Sequence, residues 1–170
     1  LYITRDLKAA KNWVKKKTRG NERSGVFTTA LSHRLWPEGI VKRGQRDFHE
    51  IGWWLDDEEH IDSSLALEIP CTEFFSQGLE LDWSIFGWDA CLRPDNTDWD
   101  YQRFERSKWK KITNETKRKY LKNAFRVLLT RARQGMIIFV PKGDENDKSR
   151  LPKLYDGIYN DLKNMGISEI

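Results

Sequence analysis

Cysteine, histidine and methionine are scarce: two, three and two among 170 residues. Cys71 and Cys91 alone cannot build a disulfide framework or a four-ligand zinc site. His33, His49 and His60 are too scattered for a metal-binding pair, so neither zinc hydrolysis nor a Ser/His/Asp or Cys/His site can be argued. No stretch approaches the roughly 18 apolar residues of a membrane span, and no basic-then-apolar leader opens the chain. These absences predict a cytoplasmic protein with no membrane partner. The phosphate loop GxxxxGK[ST] is missing too. Gly20…Gly25 and Gly39…Gly44 keep its glycine spacing, but Val26 and Gln45 stand where lysine is required. Trp53-Trp54-Leu55-Asp56-Asp57-Glu58 imitates an apolar strand ending in magnesium-holding carboxylates; without a phosphate loop it reads as a surface turn. The first residue is Leu, which suggests a piece of a longer protein whose upstream part is missing.

What is present suits one soluble domain over residues 1–170. The mass is 20.2 kDa, apolar residues make up 38% and charged residues 33%. Eight Trp and eight Phe argue against disorder. The net charge of +4 conceals three blocks. Residues 1–49 carry twelve Lys/Arg against four Asp/Glu, residues 50–100 one against fourteen, and residues 101–170 seventeen against eight. Such a pattern fits either a surface turned toward a polyanion or charged faces that interleave on folding.

The periodicity predicts a strand at Leu1–Thr4, then a helix over Leu7–Lys17 capped by Asp6. A strand is expected at Gly25–Thr29 and a short helix near Ala30–Trp36, ended by Pro37. Leu65–Phe74 and Ser84–Trp88 read as strands. Residues 91–113, with Pro94, Asp95, Asn96 and Asp98 followed by aromatics among basic residues, read as an irregular insertion. Thr113 or Asn114 caps a helix expected to run to Gln134 and stop at Gly135. Met136–Val140 is a fully apolar strand, and Pro152 and Gly166 bracket a last helix over Lys153–Met165. Alternating strands and helices imply an α/β domain with a mostly parallel sheet flanked by helices.

On the long helix, Tyr120, Leu121, Ala124, Val127, Leu128 and Ala132 share an apolar face at about 100° per residue, whereas Arg126 and Arg133 fall on the wet one. Arg131 lies in line with Tyr120, Ala124 and Val127. A cation on that edge needs an anion, either a carboxylate of the acidic block or a ligand beyond the sheet edge. A second constellation runs from Thr72 to Asp82: Gly78 permits close backbone approach, and Glu80 can accept hydrogen bonds from sugar hydroxyls. Arg103–Lys122 adds nine basic residues against two acidic, interleaved with Phe104, Trp109 and Tyr120. This composition suits a single strand, with phosphates paired and bases stacked, or simply Tyr120 in the helix core and Trp109 anchoring the insertion.

Thr72…Ser76-Gln77-Gly78-Leu79-Glu80 resembles the fifth conserved motif of superfamily 1 helicases, and Val127-Leu128-Leu129-Thr130-Arg131-Ala132-Arg133 looks like the sixth. From Thr4-Arg5-Asp6 to Phe139-Val140-Pro141 the chain is similar to the C-terminal part of the bacterial Schlafen-group-3-like DNA/RNA helicase family. The resemblance implies a RecA-like (P-loop NTPase-like) domain, partnered by an upstream RecA-like domain that holds the phosphate loop and binds most of ATP with Mg. By the same resemblance Arg131 contacts the γ-phosphate as an arginine finger, Glu80 the ribose, and Gly78 and Gln77 the nucleotide. Thr72 and Ser76 then lie near the phosphates of single-stranded DNA or RNA, with Lys108, Trp109 and Lys110 as further strand contacts. Gln77 departs from the Lys of one superfamily branch and agrees with the Ser-Gln-Gly of another. Phe75 stands where many relatives have a basic or small residue. The implied function is the C-terminal motor domain of an ATP-dependent helicase or translocase, inactive without its upstream domain. The alternatives are a nucleic-acid-binding module that no longer hydrolyses ATP, and a metal-dependent nuclease using Asp56–Asp62.

Overall fold

The computed structural model describes residues 1–44, 46–95 and 98–170; Gln45 of the unmatched glycine spacing, and Asn96 of the insertion, lie outside them. Five strands form a central sheet in the order β2-β3-β7-β1-β8, parallel at every pairing. They are β1 (Tyr2–Thr4), β2 (Ser24–Thr28), β3 (Leu81–Gly87), β7 (Ala132–Phe139) and β8 (Ser168–Glu169). The expected α/β architecture with a parallel sheet is therefore present. The apolar strands alternate between two covered faces, as a doubly flanked parallel sheet requires. Val26, Ile85 and Ile137 are register partners on one face, packed against Ala10 and Val14 of α1 (Leu7–Lys17). Phe27, Phe86 and Ile138 line up on the other, beneath Phe125 and Leu128 of α3 (Glu115–Leu129) and Tyr155 and Ile158 of α4 (Lys153–Asn164). Trp53, on the short helix α2 (Glu50–Leu55), is fully buried in this second layer.

Helix starts follow their expected chemistry. The Asp6 carboxylate accepts from the Lys8 and Ala9 amides, and Asn114 accepts from Lys117. The end of α3 does not. The helix stops at Leu129, five residues before the predicted Gln134, because the Thr130 hydroxyl turns back to the Arg126 and Val127 carbonyls and β7 begins at Ala132. The buried stripe is also rotated: Phe125 is buried and Tyr120 is half exposed. Gly135 is no helix stop. It lies in β7, where a Cβ would come 2.6 Å from the Trp83 ring. Gly135→Ala is accordingly expected to cost about 1–3 kcal/mol by overpacking, read as a lower thermal midpoint.

Three other expectations are corrected. The helix near Ala30–Trp36 is absent. There the Ala30 amide donates to Glu73 and the Arg34 amide to Asp89, so remote carboxylates replace helical acceptors, and Pro37 sits inside a 3-10 turn at Trp36–Glu38. Leu65–Phe74 is not a strand; it holds a 3-10 turn at Ser64–Ala66 and a single parallel bridge from Cys71 to Phe27. The insertion is regular, an antiparallel sheet of β4 (Leu92–Pro94), β5 (Trp99–Glu105) and β6 (Lys108–Lys111). No helix among the described residues is long and apolar enough to cross a membrane.

Candidate nucleotide and nucleic-acid interface

Pairing of β3 with β7, two interior strands, brings the two helicase-like motifs together at the amino ends of these strands. Leu81 and Ala132 are register partners, and the Leu81 amide donates to the Arg131 carbonyl at 2.9 Å. Glu80 and Arg131, each one residue upstream, thus enter neighbouring strands side by side. Arg131 occupies the turn between α3 and β7 rather than the helix itself. Among the described residues its buried Nε has no hydrogen-bond partner and its guanidinium forms no ion pair. At the same end Asp82 pairs with Arg133 at 3.0 Å. Of the two readings of Arg131, a structural ion pair with the acidic block is not seen among the described residues.

Arg131 faces a cavity of about 370 Å³ lined by Glu73, Gln77, Tyr120, Asn123, Ala124 and Val127. The stripe Tyr120, Ala124, Val127 and Arg131 is one wall of this cavity. Gln77 and Arg131 are therefore brought together, whereas Gly78 and Glu80 are exposed and outside the lining. Gly78 has φ +77° and nothing within 4 Å of a Cβ position, so the backbone there is open to approach. Thr72 and Ser76 are buried; the Ser76 Oγ is enclosed without a partner. Phe75 stacks on Phe48 at 4.5 Å, which makes it a packing residue.

A second cavity, about 470 Å³, adjoins the first through Glu73 and Tyr120, which line both. Its other walls come from α3, the insertion and the Ala30–Leu31 turn. Sequence reasoning missed Glu73, Phe74 and Asn123 as lining residues, since nothing local distinguishes them from surface positions. Glu73 is nearly enclosed, and burial raises its carboxyl above the usual range despite the Ala30 amide and Lys42. Lys42 donates to the Thr29 and Ala30 carbonyls, and burial lowers its ammonium. Asp89, wholly buried, accepts from the Arg34 and Ala90 amides and the Tyr155 hydroxyl. These groups fix the turn that walls the larger cavity.

The basic segment is only partly free. Trp109 donates to the Ser149 carbonyl at 2.8 Å and packs on Phe104, and Lys110 pairs with Glu105 at 2.6 Å. Lys108 is exposed. Among the described residues no three His, Cys, Asp or Glu converge to hold a metal ion, Asp56–Asp62 included.

A protein-family model described as "Schlafen group 3, DNA/RNA helicase domain" matches residues 1–142 of the chain. No curated protein and no solved structure matches it.

Proposed function

The chain belongs to the Schlafen group 3 DNA/RNA helicase domain family, and on that premise we propose that it is the second, C-terminal RecA-like motor domain of a cytoplasmic, bacterial, ATP-dependent DNA or RNA helicase or translocase of superfamily 1. The observation that carries this reading is Arg131, which lines a cavity together with Gln77 and forms no ion pair among the described residues. A guanidinium with no internal carboxylate suits an anion delivered from outside. Two free buried cysteines accord with a reducing compartment.

In this proposal ATP with Mg is held mainly by an upstream RecA-like domain and supplies the phosphoryl bond whose hydrolysis drives movement. Arg131 neutralises charge at the γ-phosphate, and Gln77 orients the same end through its amide. Glu80, beside Arg131 at the amino ends of β3 and β7, accepts from ribose hydroxyls, and Gly78 lets backbone amides approach. Thr72 and Ser76 place the segment that meets strand phosphates, and Lys108 extends that contact along the insertion, on a hairpin that Trp109 and Lys110 anchor through Ser149 and Glu105. Phosphoryl transfer depends on positioning and charge neutralisation, so an arginine presented only when two domains close couples hydrolysis to their motion.

The chain alone would hold the finger without the phosphate loop. Titration of the isolated chain with magnesium ATP in a calorimeter is expected to show at most weak binding, with Kd above about 100 μM. Sub-micromolar binding would overturn the divided site.

A further inference from the structure

The larger cavity differs from a phosphate site in its chemistry. Its lining includes the apolar Leu31 and Ile112 together with the rings of Phe74 and Tyr120, so a flat apolar group fits it better than a bare phosphate. Phe74 and Tyr120 stand at its lip, 51% and 48% exposed, with ring centroids 6.2 Å apart. Three cations, Arg103, Lys111 and Lys117, also line it. A neutral, flat, partly apolar group belongs inside, and negative charge belongs along the cations.

We propose that this cavity receives an unstacked nucleobase of a single nucleic-acid strand, held against Phe74 and Tyr120 while the flanking phosphates run over Arg103, Lys111 and Lys117. The proposal rests on the reading of the chain as part of a nucleic-acid motor, and adds a base-holding site built by the insertion, α3 and the Ala30–Leu31 turn. It moves the stacking platform away from Trp109, whose indole is committed to Ser149. Because Glu73 and Tyr120 also line the Arg131 cavity, a base seated here lies next to the proposed nucleotide site, so strand and nucleotide share a wall. Stacking tolerates any base, so the site grips a strand with little sequence preference.

The test is binding of a short fluorescent DNA strand, its RNA counterpart, and the same strands with abasic sites in the centre, to the full-length protein. Abasic strands keep the phosphates and lose the ring. Wild type is expected to bind the intact strand about tenfold more tightly than the abasic one, the scale of one stacked base. Tyr120→Ala and Phe74→Ala should abolish that preference, and Tyr120→Phe should keep it. Arg103→Gln with Lys117→Gln should weaken both strands alike and flatten the salt dependence. Equal binding of intact and abasic strands by wild type, or full preference retained in both alanine variants, would overturn the site while leaving the motor reading intact. Failure to bind any strand would overturn both.

Discussion

Arg131→Ala in the full-length protein is expected to lower strand-stimulated ATP hydrolysis by about 10³-fold or more while single-strand affinity stays within a few fold of wild type. The size follows from the job. An arginine brought to a transferring phosphoryl group contributes about 10³–10⁵ in rate, equivalent to roughly 4–7 kcal/mol. The separation of effects follows from geometry: Arg131 opens on the Gln77 cavity, whereas the cations Arg103, Lys111 and Lys117 line the neighbouring one. Folding should be little affected, because the Arg131 backbone, through its bond with Leu81, makes the structural contact and the guanidinium makes no ion pair among the described residues. Arg131→Lys should recover little, since a point charge cannot reproduce the planar fork. Hydrolysis and binding measured in parallel decide it; equal loss of both would mean that Arg131 acts through the fold.

The largest stability effect is expected at Trp53. This side chain is fully buried, packs against Phe27, Phe48 and Trp54, and donates its indole N–H to the Ile69 carbonyl at 2.7 Å. Ile69 leads into Cys71, whose amide bonds the Val26 carbonyl and carries the chain into Thr72–Glu80. Trp53→Ala opens a large void and leaves the Ile69 carbonyl without its donor, a loss of about 3–5 kcal/mol. For a chain of this length that lowers the thermal midpoint by roughly 6–20 °C. Trp36→Ala, at a ring 65% exposed, should change stability by less than about 0.5 kcal/mol. Thermal unfolding of the two variants side by side checks the contrast.

The sequence carried the fold where signals were local. Asp6 and Pro152 marked helix starts that the structure shares, and the apolar strands were legible from their runs of Val, Ile and Phe. It misled where remote groups settle the backbone. The Ala30 and Arg34 amides are satisfied by Glu73 and Asp89, more than forty residues away, and no local pattern reports that. Gly135 resembles a helix stop, yet the need for glycine comes from the Trp83 ring on the adjacent strand. The insertion looked irregular because its hairpin turns at Arg106-Ser107, with Arg106 at φ +59°, in place of the usual Asn-Gly or Asp-Gly.

The candidate site was legible in part for the same reason. The stripe Tyr120, Ala124, Val127 and Arg131 was visible at helical spacing, and the structure gives it a cavity to line. Glu73 and Phe74 were not, because their role depends on where the Thr72–Glu80 segment passes over α3. Trp109 was visible as an aromatic among cations, but its partner Ser149 lies forty residues on.

The central claim is that the domain takes part in a motor whose hydrolysis depends on a bound strand. The most direct measurement is the steady-state rate of ATP hydrolysis by the full-length protein, with and without single-stranded DNA or RNA. Strand-stimulated turnover is the expected result, lost in Arg131→Ala. Strand binding with no hydrolysis under any condition would contradict it and leave a nucleic-acid-binding module on a helicase fold.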